Sequence, residues 1–367
     1  MKIALVHDDF SQRGGAENLF ATIAQVFKSA PIYTSLVDAN KLPPSISRDR
    51  LKTSFLQKVP FATKFYKALL PFYPLAFETF NFDDFNVVIS STTRFAKAII
   101  TKPNTIHICY INSTPRFLYS QKLQEDYLAQ PIRLLAKPLL AWFARWDPVA
   151  STRVDHYIAN SNYVASQVKK IYKRQAEVVY PFVDLAFFRP AKVHNWQLKS
   201  RDYFLVVSRL VKWKKIDIAI KACSGLDRNL IIVGVGPDKA RLKQFSDSSV
   251  DFLGRVTREK LRVLYQNARA LIITQQEDFG IAAVEAGACG TPVLAFKSGG
   301  AAETVINHQT GLLFESQTVD SLKDAIEVFS HVKWTVPACR KNALKFSQAQ
   351  FLESLKREVA KYGSKSS

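Results

Sequence analysis

EDFGIAAVEAGACGTPVLA, residues 277–295, reads as a strand end, a glycine turn, a helix and the start of a new strand. Leu271–Thr274 before it is an apolar run turning polar. Phe279-Gly280 makes the turn, Ile281–Ala288 is helical in composition, Gly290 closes it, and Thr291-Pro292 leads into Val293–Ala295. Two glutamates sit eight positions apart, Glu277 in the turn and Glu285 inside the helix. At a rise of about 1.5 Å per residue, Glu285 lies roughly 7.5 Å along the axis from Gly280. Open amides at a helix start attract an anion, and glycine lets that anion come close. A diphosphate at the turn places a ribose near Glu285, whose carboxylate can accept two hydroxyl hydrogen bonds. Glu277 then faces whatever the far phosphate carries. The layout suits a nucleotide sugar, although a plain amphipathic helix with a glycine cap leaves the same short pattern.

The 367 residues are long enough for two domains with their own cores, and the 47% hydrophobic content is that of a globular chain. Cys109, Cys223, Cys289 and Cys339 are scattered without metal spacing, which predicts buried thiols in a reducing compartment. No apolar leader precedes the strand-like run at Ile3, and no run reaches the ~18 apolar residues of a membrane span. The expectation is a cytoplasmic protein. A formal charge of +20 calls for an anionic partner: nucleic acid, a membrane surface or a phosphorylated substrate. Between Lys41 and Lys67 stand seven bases (Lys41, Arg48, Arg50, Lys52, Lys58, Lys64, Lys67) against one acid, Asp49. Phe55, Phe61, Phe65 and Tyr66 interleave with them, and ALLPFYPLAF, Ala68–Phe77, follows. That pattern fits peripheral contact with an anionic membrane through 41–77, with the aromatic run inserted at the headgroups. A solvated basic face beside a core stripe is the alternative. No nucleic-acid-binding motif accompanies the charge, so no nucleic acid partner is expected.

The first half opens with Lys2–His7, a β-rich run ending in His7-Asp8-Asp9. Gly14-Gly15 then opens a helix whose Leu19, Phe20, Ile23, Val26 and Phe27 recur at helical spacing. The fingerprint G-x-G-x-x-G is absent, which weighs against a nicotinamide enzyme. Further strand-like runs at Val87–Ser91, Thr105–Ile111 and His156–Asn160 alternate with helical segments, predicting a parallel sheet covered on both faces. Ligands of such sheets sit beyond the carboxyl ends of the strands, where Asp8, Ser90, Ser91, Asn112, Arg116, Asn160 and Ser161 fall.

The run 277–295, followed by SGGAAETV and TGLLF, resembles the donor-binding signature of retaining glycosyltransferase family 4, of the GT-B fold. SSTTRFAKAI, ICYINSTPRFLYS and DHYIANSNYVASQVKKIY look like its bacterial branch that adds mannose during O-antigen assembly. The resemblance implies an α/β architecture of two Rossmann-like, doubly wound domains facing across a cleft. It assigns 1–182 to the acceptor, 183–345 to the nucleotide sugar, and 346–367 to a helix crossing back to the first domain and a tail. Where that branch carries a histidine, this chain has Asn112, ahead of Thr114-Pro115-Arg116. An amide can donate to a sugar hydroxyl but cannot take a proton at neutral pH, which puts the donor sugar in question more than the reaction.

By the same resemblance, the GG-x-E turn Gly14–Glu17 faces the donor diphosphate and Val178–Pro190 is the interdomain linker. Arg209 and Lys214, five apart after the strand-like run Tyr203–Ser208, neutralise the leaving diphosphate. Arg255-Val256 holds the nucleobase through backbone groups. Asp278, Phe279, Gly280 and Ile281 receive the phosphates, Glu285 the ribose and Glu277 the sugar. Asp8, Asn112 and Arg116 line the acceptor or sugar side. Catalysis falls to Glu277, Arg209 and Lys214. Configuration is retained through a same-face substitution in which the departing phosphate takes the acceptor's proton. No cofactor or metal is expected; the donor substrate is a GDP- or UDP-sugar, and no Asp-x-Asp element is present. The expected activity is hexosyl transfer, mannose favoured, to a lipid-linked saccharide at the inner membrane face. A UDP-sugar enzyme with a soluble acceptor, and a non-catalytic nucleotide-sugar or nucleic-acid binder, are the alternatives.

Overall fold

The structure, a computed structural model, describes residues 1–66, 68–119, 130–191 and 202–363. Lys67 of the basic run and residues 364–367 of the expected disordered tail lie outside the described residues. Two compact units result: Met1–Tyr180 together with the chain from Phe351, and Pro181–Gln350. The division thus falls two residues before the expected 182/183 boundary, and the C-terminal return begins at Phe351, not at 346.

The first unit is built on seven parallel strands: β1 (Ile3–His7), β2 (Ile32–Thr34), β3 (Leu51–Thr53), β4 (Val87–Thr92), β5 (Ile106–Ile111), β6 (His156–Ala159) and β7 (Ala176–Val178). Their order is β3-β2-β1-β4-β5-β6-β7, so the winding reverses between β1 and β4. Helices cover both faces, which is why β1 is apolar up to His7 and β4 is buried at every position. The two-residue period sorts their side chains. Ala4 and Val6 enter a cluster with Tyr33, Tyr73, Phe77 and Phe95, while His7 turns the other way and stacks on Phe20 of the helix Gly15–Val26, ring centroids 4.6 Å apart.

The second unit has six parallel strands: β8 (Tyr203–Val207), β9 (Asn229–Val233), β10 (Val250–Gly254), β11 (Ala270–Ile273), β12 (Val293–Phe296) and β13 (Gly311–Phe314). Their order, β10-β9-β8-β11-β12-β13, reverses between β8 and β11. The loops leaving those two strands carry Arg209 and Lys214 on one side and Glu277 on the other.

Three expectations change. The stretch Pro337–Tyr362 is two helices, Val336–Ala343 and Gln348–Gly363, separated by the 3-10 turn Leu344–Phe346. Ser347 is extended and its hydroxyl accepts the Gln350 N–H at 3.3 Å, ending one helix and capping the next. The run Ala68–Phe77 is mostly core: Tyr73, Pro74, Ala76 and Phe77 are buried, and of its large side chains Phe72 and Leu75 face solvent. Arg50 also leaves the basic surface, because its guanidinium donates to the carbonyls of Ala24, Phe27 and Ala30 at 2.8–3.1 Å and closes the first helix. All four cysteines are buried free thiols.

Candidate functional site

The turn 277–280 is shaped by its backbone neighbours. Gly280 caps the helix Ile281–Ala288 at φ +89, a left-handed conformation that suits glycine. Glu277 forms a parallel bridge with Gly299, and Gly300 N–H donates to Glu277 O at 2.8 Å. A Cβ on Gly300 would come within 2.5 Å of Phe279 Cα, and one on Gly280 within 2.8 Å of Ala301 Cβ. The Gly299-Gly300 turn is therefore the bed on which the 277–280 backbone lies. Phe279 is buried and meets Phe346 edge-on, while Asp278 and Ile281 are half-buried.

Lys214 and Glu277 meet at the reversal between β8 and β11. Lys214 Nζ donates to Glu277 Oε1 at 2.5 Å, and Gln275 Nε2 donates to the same oxygen at 2.5 Å. The ammonium also lies 4.2 Å from the Trp213 ring centroid. Burial lowers the Lys214 pKa and Arg209 adds to that, while the Glu277 carboxylate and Asp278 oppose it. Arg209 is exposed. Its loop is tied down from two sides. Thr274 hydroxyl donates to Lys214 O at 2.8 Å, and Leu210 N–H donates to Val235 O at 3.0 Å. Gly234 and Gly236 permit that second contact, since a Cβ on Gly236 would lie 2.6 Å from the Leu210 carbonyl carbon.

Glu285 projects from the helix Ile281–Ala288 and accepts the Tyr265 hydroxyl at 2.9 Å. Burial pushes its carboxyl up to about 7, against the hydrogen bond from Tyr265 and the charge of Arg258. Arg255 is exposed and Val256 half-buried, just past a register shift in β10 where Gly254 takes φ +69 and accepts the Gly234 N–H at 2.8 Å.

In the first unit, Gly14 and Gly15 are exposed at the start of their helix, and Glu17 Oε2 accepts the Gly14 N–H at 2.7 Å. Asp8 is buried and its carboxylate accepts six hydrogen bonds, from Thr92 and Thr93 hydroxyls and from the amides of Thr93, Arg94, Phe95 and Ala96, at 2.6–3.0 Å. Although burial alone would raise its pKa, Arg94, His7 and these amides hold it below the usual range. With its lone pairs so occupied, Asp8 anchors the loop after β4, a different task from the expected contact with acceptor or sugar. Asn112 is also turned inward, its side-chain amide donating to Ser91 hydroxyl at 3.0 Å, while its backbone carbonyl accepts from Asn160 Nδ2 at 2.8 Å. Arg116 lies with its guanidinium 5.5 Å from the Tyr163 ring centroid.

Sequence reasoning missed Gln275 and Tyr265; it expects Gly299-Gly300 to open a helix near the phosphates, and the structure adds its packing under the 277–280 turn. Gln275 stands two residues before Glu277 and could have been noticed. Tyr265 acts from another element, without a local signal. Among the described residues no three of His, Cys, Asp and Glu are grouped as metal ligands would be.

Residues 13–187 match the family model described as Glycosyltransferase Family 4, and residues 190–346 the model described as Glycosyl transferases group 1. An uncharacterized glycosyltransferase of Methanocaldococcus jannaschii is 30% identical over 182 residues, covering 48% of this chain and 50% of its own length. A GDP-mannose-dependent alpha-(1-6)-phosphatidylinositol monomannoside mannosyltransferase of Mycobacterium tuberculosis is 30% identical over 192 residues, covering 45% of this chain and 50% of its own. The chain thus spans about half the length of the curated relatives it matches. The solved structure of Anabaena Alr3699/HepE in complex with UDP aligns with a TM-score of 0.70 at 19% identity, over 98% of this chain and all of that one, which shows a shared fold.

Proposed function

We propose that this chain, a GT-B protein made of a Glycosyltransferase Family 4 domain followed by a Glycosyl transferases group 1 domain, is a glycosyltransferase that transfers a hexosyl group from a nucleoside diphosphate sugar. The observation that carries the reading is the contact of Lys214 with Glu277 beside the mouth of the helix Ile281–Ala288, with Glu285 farther along the same helix. In this reading the diphosphate lies at the amides of Phe279 and Gly280. Glu285 accepts the ribose hydroxyls and Glu277 exchanges Lys214 for hydroxyls of the sugar. Arg209 and Lys214 then meet the charge that grows on the departing phosphate, the kind of preorganised stabilisation that lowers such barriers most. Substitution on the same face, with the phosphate taking the acceptor's proton, retains configuration. The two cations do the work a metal would otherwise do, so EDTA is expected to leave turnover intact.

Mannose from GDP-mannose is the favoured donor, in keeping with the mycobacterial relative's name; the Anabaena structure, which holds UDP, keeps a uridine donor in view. A lipid-linked saccharide is the acceptor, reached through peripheral contact of residues 41–77 with the inner membrane face. Exposed Phe61 and Phe65 beside Lys58 and Lys64 support that contact. The deciding experiment is a thermal-shift screen of UDP- and GDP-sugars followed by a hydrolysis and transfer assay with the best binder. Failure of every donor to bind would remove the proposal; binding without turnover in any acceptor mixture would leave a non-catalytic binder.

A further inference from the structure

The layer that covers one face of the first sheet is apolar on its outer side as well as its inner one. In the helix Gln130–Ser151, Phe143, Asp147 and Ala150 are buried at helical spacing, and Leu139, Leu140 and Trp146 pack on the cluster of Tyr73, Phe77 and Phe95. A second stripe of the same helix faces solvent. Leu134, Leu135, Trp142 and Val149 are 64%, 82%, 47% and 61% exposed. A surface helix ordinarily keeps that side for charge. Here the exposed charges among its described side chains are Lys137 and Arg145, both basic. Its acid, Asp147, is buried against Lys97 at 2.5 Å.

The neighbouring segment has the same two-sided character. Tyr66, Leu69 and Leu70 pack on that cluster, whereas Phe61, Phe65 and Phe72 are 74%, 56% and 52% exposed. No acid occurs between Asp49 and Glu78. Two elements seated on one cluster thus each leave an apolar side exposed to solvent.

We propose that the helix Gln130–Ser151 is a second lipid-contacting element, its outward stripe lying among the headgroups of an anionic bilayer. The proposal rests on the reading that the first unit docks on a membrane through residues 41–77, and it widens that contact to a helix distant in sequence. Leu134 and Leu135 enter the acyl boundary, Trp142 sits at headgroup level, and Lys137 and Arg145 face lipid phosphates. Bases without exposed acids favour this occupant over a protein surface of mixed charge. Among the described residues no helix is long and apolar enough to cross a membrane, so the contact is from the side.

The test is co-sedimentation of the full chain with vesicles of phosphatidylcholine alone or mixed with phosphatidylglycerol. It compares wild type, Leu134→Glu/Leu135→Glu and Phe65→Glu/Phe72→Glu, with circular dichroism as the check on folding. A second readout is quenching by brominated phosphatidylcholine, taken as the difference between wild type and Trp142→Phe. Wild type is expected on the mixed vesicles, weakened roughly tenfold or more by the leucine pair, with Trp142 quenched. Should the leucine variant bind as wild type while the phenylalanine variant is lost, the helix is no part of the contact and docking through 41–77 stands. Wild type that binds neither vesicle defeats both readings. A wild-type dimer that the leucine pair turns monomeric, without lipid, gives the stripe to a second copy and overturns the inference.

Discussion

Lys214 Nζ lies 2.5 Å from Glu277 Oε1, and their side chains are 9% and 21% exposed. The two residues are 63 positions apart and meet because β8 and β11 are neighbours at the reversal of the second sheet. The cation proposed to meet the leaving phosphate is held by the carboxylate proposed to hold the sugar. That mutual hold keeps both groups in place, while burial lowers the Lys214 pKa against the pull of the carboxylate.

Glu277→Ala and Lys214→Ala are each expected to lower kcat by roughly 100-fold or more, as losses of transition-state stabilisation. Because the side chains act as a pair, the double variant should fall by much less than the product of the two losses. Steady-state kinetics on all three proteins checks this. Independent, multiplicative losses would argue that the pair is a bystander.

Glu285 supplies a pH dependence. With a carboxyl pushed up to about 7 by burial, it ionises as the pH rises through neutrality. A ribose needs the acceptor form, so donor affinity should strengthen from pH 6 to pH 8, and Glu285→Gln should flatten the profile. Calorimetry with an intact nucleotide sugar, whose diphosphate does not titrate there, gives the answer. Folding stability moves oppositely: a carboxyl raised from 4.5 to about 7 loses stability contribution as pH climbs between those values.

Gly300→Ala tests the bed under the 277–280 turn without touching any proposed contact to the donor. Its Cβ would lie 2.5 Å from Phe279 Cα, whereas a Cβ on Gly287 meets nothing nearer than Cys339 O at 3.5 Å. Gly300→Ala is expected to cost about 1–3 kcal/mol of stability and to weaken donor binding about tenfold. Gly287→Ala should bind as wild type. Equal donor affinity in both variants would detach the glycine turn from the site.

Asp8→Asn replaces an acceptor of six hydrogen bonds with a group that must present two N–H donors to other donors. A loss of roughly 3 kcal/mol is expected, seen as a lowered denaturation midpoint. Since the folded pKa of Asp8 lies below 3.8, its contribution is present above that pH and fades as acid takes the pH through the lower value. An unchanged midpoint would mean that the loop after β4 has another anchor.

Both parallel sheets were legible in the chain. Buried parallel strands are rich in apolar and β-branched residues and alternate with helices, so Val87–Thr92 and Ile106–Ile111 stand out to within a residue even with Ser90, Ser91 and His107 inside them. The glycine turn at 279–280 and the distance from Gly280 to Glu285 were likewise local, because a helix fixes the distance between positions on it. The aromatic run Ala68–Phe77 misled, since composition alone does not tell a lipid-facing side chain from one under the sheet.

By itself, then, the order of residues determined the two α/β sheets, the helix with its glycine mouth and the supply of cations, all set by neighbours within a few positions. The tertiary structure alone decided that Lys214 rests on Glu277, that Tyr265 meets Glu285, that Asp8 anchors a loop, and that Leu134, Leu135 and Trp142 face outward. Those outcomes depend on which strands become neighbours and which helix side meets a core, choices made by the packing of segments far apart in the chain.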